Sequence, residues 1–151
     1  MVGVLWRLLR PAPLVALGLL LLAVVAYAAS SIQVNSGRLV AKGAEVDVTV
    51  TYSCQDGWSV IQGKGGGGIF VNIQQAVNKT SQASGSASGG TNLICDGTAH
   101  SAVVQVLANT PGPPFRVGPA VSTAEFSACS DEFCSSFESA NSGPTVVRLS
   151  K

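Results

Sequence analysis

The stretch that decides the fold class is Glu45-Val-Asp-Val-Thr-Val-Thr-Tyr-Ser-Cys54. Val46, Val48, Val50, Tyr52 and Cys54 share one parity, and Glu45, Asp47, Thr49, Thr51 and Ser53 share the other. Successive side chains of a strand point to opposite faces, so unbroken alternation predicts a strand packed on one side and wet on the other. β-branched and aromatic residues dominate the apolar parity, as a pleated, half-buried surface favours.

Working outward, the same period recurs and no helical stripe appears. Ile32-Gln-Val34 and Arg38-Leu-Val-Ala41 read as strands flanking a turn at Asn35-Ser-Gly37. Ile69 to Val77 aligns Ile69, Val71 and Ile73. His100 to Ala108 carries Ala102, Val104 and Val106 on one face and Val103 and Leu107 on the other, which predicts burial on both sides. Pro119 to Ala128 aligns Ala120, Ser122, Ala124, Phe126 and Ala128, and Thr145 to Leu149 forms a last strand. Gly63 to Gly68, the Ser/Gly/Ala-rich run from Thr80 to Thr91, Asp96-Gly97 and Pro111 to Pro114 read as connections. Six to eight short strands punctuated this way predict an all-β protein, an antiparallel immunoglobulin-like β-sandwich with two disulfides, with a small barrel as the alternative.

The N-terminus reads differently. Arg7 and Arg10 precede Leu14 to Ala26, 13 residues without a polar side chain, and Ala26-Tyr-Ala28 supplies the small residues of a cleavage site. Residues 1–28 are therefore expected to be a signal peptide and 29–151 the β domain, secreted or retained at the cell envelope. The alternative is an uncleaved anchor, which would be the domain's one link to a membrane. Without Arg7 and Arg10, seven basic side chains face eight acidic ones. That near neutrality predicts neither a nucleic-acid partner nor an anionic-lipid surface.

Four cysteines in an exported chain point to disulfides, which reinforce small cores in oxidising compartments. Three connectivities are open. The inward parity of Cys54, and of Cys95 with Leu93, favours Cys54–Cys95. The short spacing of Cys129 and Cys134 favours a local clip. Zinc is disfavoured, because no close C-x-x-C knuckle is present.

The remaining motifs carry little chemistry. Gly63, Gly65 and Gly68 satisfy G-x-G-x-x-G, but that motif binds dinucleotides only between a strand and a helix, and Gly65 follows Lys64 where a phosphate loop needs Ser or Thr. His100 is the single histidine, with Asp96 four residues before it, and no Gly-x-Ser-x-Gly elbow exists. Adjacent Asp131 and Glu132 suit a solvated turn better than a paired acid and base. Asn78-Lys79-Thr80 is a glycosylation sequon. Trp58, Phe115 and Phe133 lie in or near loops and are the candidate partner-binding residues. No residue set points to a cofactor, a metal or catalysis.

Val48 to Cys54, Ile69-Phe-Val-Asn-Ile-Gln-Gln75, Cys95-Asp-Gly-Thr-Ala-His100, Phe115-Arg-Val-Gly-Pro-Ala120 and Val146-Val-Arg-Leu149 together resemble a family of small secreted actinobacterial proteins of uncharacterised function. The resemblance spans most of the domain and implies an immunoglobulin-like sandwich outside the cytoplasm, with no activity. The chain departs from it at Ser101-Ala102, where an aromatic residue is expected after the histidine. A fainter likeness, in the Cys129–Cys134 clip, is to the enediyne-carrying apoproteins, although Cys54 and Cys95 stand further apart than in those proteins. The function expected is a non-catalytic interaction module for an extracellular protein, glycan or small ligand. The alternatives are a small-molecule carrier, with a cleft lined by Phe70, Trp58 or Phe115, and a hydrolase using His100.

Overall fold

The computed structural model describes residues 29–58, 68–89, 93–131 and 133–151. The expected signal peptide, most of the glycine run and Glu132 lie outside the described residues. Eight strands make up the fold: β1 Ser31–Val40, β2 Glu45–Ser53, β3 Gly68–Ala76, β4 Gln82–Gly89, β5 Ala99–Leu107, β6 Gly118–Cys129, β7 Phe137–Asn141 and β8 Thr145–Ser150. The domain is all-β, as the alternation of β2 predicts.

The strands hydrogen-bond in the order β4-β3-β6-β8-β1-β2-β5, and β7 pairs with β6 beyond β8. All ladders are antiparallel except the short β1–β8 pairing at Gly37 and Arg38. The two ends of this path approach each other, since the amide just past β5, Asn109 N–H, donates to Ser84 O in β4 at 2.7 Å. The result is one nearly closed, barrel-like sheet. No break in the hydrogen bonding marks out the two sheets of a sandwich.

Val46, Val48, Val50, Tyr52 and Cys54 all point into the barrel and are buried, as the parity of β2 requires. Ile69, Val71 and Ile73 of β3, Val104 and Val106 of β5, Phe126 of β6 and Leu149 of β8 fill the interior with them. Each large side chain withdrawn from water contributes on the order of 1.5–3 kcal/mol. A barrel of this size has no room for a lumen, so side chains pack its interior. Alanines at 83, 120, 124 and 128 keep the strands close.

Three sequence expectations are corrected. The turn placed at Asn35-Ser-Gly37 is a bulge within a single continuous strand, because Asn35 Nδ2–H donates to Thr51 Oγ1 at 2.6 Å and the ladder resumes at Ser36. The chain reverses instead at Ala41–Gly43, with φ of 48°, 59° and 89°. A side chain at Gly43 would overlap the carbonyl of Phe115, whose amide bonds back to Gly43 O at 2.8 Å. Within the run from Thr80 to Thr91, Gln82–Gly89 is strand β4, fully paired with β3. Its low strand propensity gives way to a ladder and a tight interior that accept only small residues. Finally, β5 buries one face only: Val103 and Leu107 are exposed, because nothing among the described residues covers the outside of this last strand.

Candidate functional site

The two disulfides lie at one end of the barrel. Cys54 follows β2 and bonds to Cys95, four residues before β5. Cys129 ends β6 and bonds to Cys134. Both pairings are those favoured by the sequence, and they are compatible with an extracellular protein.

Around Cys54–Cys95 the chain is held by a polar knot. Asp96 Oδ1 accepts hydrogen bonds from Thr98 N–H at 2.9 Å and from the Thr98 hydroxyl at 2.7 Å, and it lies 2.8 Å from His100 Nε2. Gly97 N–H donates to Cys54 O at 3.0 Å. These bonds, the Thr98 hydroxyl first, then His100 and the Thr98 amide, lower the Asp96 carboxyl to about 2. An ionised carboxylate only accepts, so Nε2 carries the proton it donates. Tyr52 sits beneath, its ring centroid 5.9 Å from that of His100 and 5.6 Å from that of Phe126, while its hydroxyl accepts from Ile94 N–H at 3.0 Å.

The meeting of Asp96, Thr98 and His100 contains the residue types of a hydrolytic triad without its geometry. A triad places the carboxylate on one imidazole nitrogen and the nucleophile on the other. Here Thr98 Oγ1, at 3.1 Å, and Asp96 both face Nε2, and the threonine proton is directed at the carboxylate. The group caps a turn. No cluster of three or more metal-ligating side chains occurs among the described residues.

At the second disulfide, Asp131 Oδ1 accepts from the amides of Phe133 (2.9 Å) and Ser135 (3.0 Å), and Ser130 and Ser136 bond each other across the loop. The Ser135 amide, with smaller contributions from its neighbours, lowers the Asp131 carboxyl. The closed loop presents Phe133, 81% exposed, and β7 then opens with Phe137, opposite Cys129 and 59% exposed. Ile94, 56% exposed, stands beside Cys95 at the same end. Glu138 Oε1 accepts Gln55 N–H at 3.3 Å and so ties β7 to the chain leaving β2.

The three aromatic candidates separate. Phe133 is on the surface. Trp58 is half-buried against the core, its Nε1–H donating to Gln55 Oε1 at 2.8 Å. Phe115 is a correction: it is 1% exposed and packs into the core at the opposite end, because the Gly43 bond draws its loop over the barrel mouth. Phe70, named for a carrier's cleft, lies on the outer parity of β3 beside Glu125. Phe137 and Ile94 went unread, and nothing in their neighbourhood marks them as exposed before β7 is placed. Asn78 tops the exposed β3–β4 turn, its Oδ1 accepting Thr80 N–H at 2.9 Å. No protein-family model, curated protein or solved structure matches the chain.

Proposed function

We propose that this chain is a non-catalytic interaction module of an exported protein, either secreted or held at the cell envelope, which meets its partner with the disulfide-braced end. The observation that supports this reading is a solvent-facing pair: Phe133, on a loop whose shape is held by Cys129–Cys134 and by Asp131, and Phe137, which opens β7 opposite Cys129. A loop backbone already held before contact loses less entropy on binding, and aromatic side chains are a residue type from which binding hot spots are built. Large exposed apolar groups on a small domain otherwise cost solubility, so their retention at this braced end argues for a surface in use. An immunoglobulin-like relationship belongs to the same proposal and rests on the antiparallel strands and the buried Cys54 bridge.

The test is affinity capture from the envelope and culture fluid of the producing cell, comparing the parent with Phe133→Ser/Phe137→Ser. A species retained by the parent and lost by the variant, at unchanged thermal unfolding, is expected, and His100→Ala is expected to retain it fully. Equal retention by the double variant, or hydrolytic turnover that disappears with His100→Ala, would remove this reading.

A further inference from the structure

Near neutrality conceals a separation of charge. The strand registers place Arg38, Lys42, Lys79, Arg116, Arg148 and Lys151 at the end opposite the disulfides: Arg38 pairs across to Asp47 and Ser150, Lys42 lies in the β1–β2 turn, Lys79 in the β3–β4 turn, Arg116 just before β6, and Arg148 opposite Pro119 at the start of β6. Those six are all the lysines and arginines among the described residues. Only Glu45 and Asp47 accompany them, an excess of four positive charges. Asp56, Asp96, Asp131 and Glu138 occupy the disulfide end, and Glu125 lies between.

The two ends also differ in what their charges do. Asp96, Asp131 and Glu138 accept hydrogen bonds from the protein's own backbone. Arg38 is paired with Asp47 at 2.6 Å. The other five cations are exposed and make no ion pair among the described residues. They stand on four segments held together by Phe115 N–H to Gly43 O, by the Gln75 side chain to both polar backbone groups of Arg116, and by the β6–β8 ladder, in which Pro119 faces Arg148.

From this arrangement we infer that the end of the barrel opposite the disulfides docks a linear, phosphate-bearing polyanion. The inference goes beyond the interaction surface proposed above and uses none of its residues. Exposed cations spread over several tips match charge repeated along a polymer, whereas a single bound phosphate needs converging donors. Each phosphate neutralised releases condensed counterions, so such binding is driven by charge and weakens with salt. A bilayer fits less well, because interfacial docking draws on aromatic anchors in an apolar face: Phe115, the one aromatic side chain at this end among the described residues, is buried, and the exposed apolar groups near it, Leu107 and Val117, are aliphatic. A second copy fits less well too, since most of the acidic end's carboxylates already serve its own loops.

The experiment is equilibrium binding of the purified protein to long-chain inorganic polyphosphate over a salt series. Lys42→Asn/Lys79→Gln/Arg116→Gln is compared with the parent, asparagine being chosen at 42 because it tolerates the positive φ there. The triple variant is expected to bind at least tenfold more weakly at low salt, and its log–log salt slope to be shallower by about two. Arg148→Gln/Lys151→Gln, which leaves every turn intact, is expected to act in the same direction, and Phe133→Ser/Phe137→Ser to bind as the parent does. Absence of parent binding at low salt would overturn the inference. So would unchanged binding by both cation variants, or tighter binding to phosphatidylglycerol vesicles than to polyphosphate at matched phosphate. A failed capture experiment with Phe133→Ser/Phe137→Ser leaves these readouts untouched, so the two proposals fail separately.

Discussion

At the scale of single residues, the polar groups in unexpected places explain the most. Gln75 has the inward parity of Ile69, Val71 and Ile73, yet it is a buried amide. Its Nε2–H donates to Arg116 O at 2.7 Å and its Oε1 accepts Arg116 N–H at 2.7 Å, so it takes the place of a strand partner for a loop that has none. A polar residue in an apolar parity was legible; its partner, 41 residues away, was not. Asp47 was expected in water and is nearly covered by Arg38, a cross-strand neighbour fixed by the β1–β2 register. Asp96 carries the prediction at this scale. Its folded carboxyl titrates at about 2, below the ordinary 3.8, so it favours the folded state above 3.8 and that contribution disappears as pH falls toward and through 2. Carboxyl-detected NMR should place its midpoint near 2, and Thr98→Val should move it up toward 3.8; a parent midpoint already near 3.8 would contradict the turn geometry.

At the scale of elements, β2 was readable and β4 was not. Ten residues of alternation impose one parity whatever the neighbours are, whereas Gln82–Gly89 is built from alanine, serine and glycine, with little intrinsic preference for a strand. It is a strand because β3 pairs with it residue for residue and because β5 comes close on its other side. Gly85 makes that approach feasible: a methyl group there would overlap Leu107 O and crowd Val106. Gly85→Ala is therefore expected to destabilise the fold by about 1–3 kcal/mol, the usual cost of overpacking. Amide exchange of Asn109, which bonds to Ser84 O, should accelerate with it. Urea midpoints and hydrogen exchange measure both, and an unchanged midpoint would mean the barrel is not closed here. The β7 strand was missed for the converse reason: five residues after a disulfide loop show no period long enough to read, and only pairing with the second half of β6 defines them.

At the scale of the whole molecule, the two bridges act on unequal lengths of chain. Cys54–Cys95 closes a separation of 41 residues and Cys129–Cys134 one of 5. Loop-closure entropy assigns about 4 kcal/mol to the first and about 2 kcal/mol to the second. Cys54→Ala/Cys95→Ala should thus lower the urea-derived stability more than Cys129→Ala/Cys134→Ala, and the reverse order would place the stabilisation in the loop's own contacts. The sequence by itself determined the strand character, the inward parity of the core and the pairing of cysteines, because alternation and spacing are local and survive any arrangement of the strands. Only the tertiary structure decided that one sheet nearly closes on itself, that Phe115 is core and Phe133 surface, and that charges summing almost to zero stand at opposite ends. Those outcomes depend on which distant segments become neighbours, and a chain position carries no record of that until the ladders form.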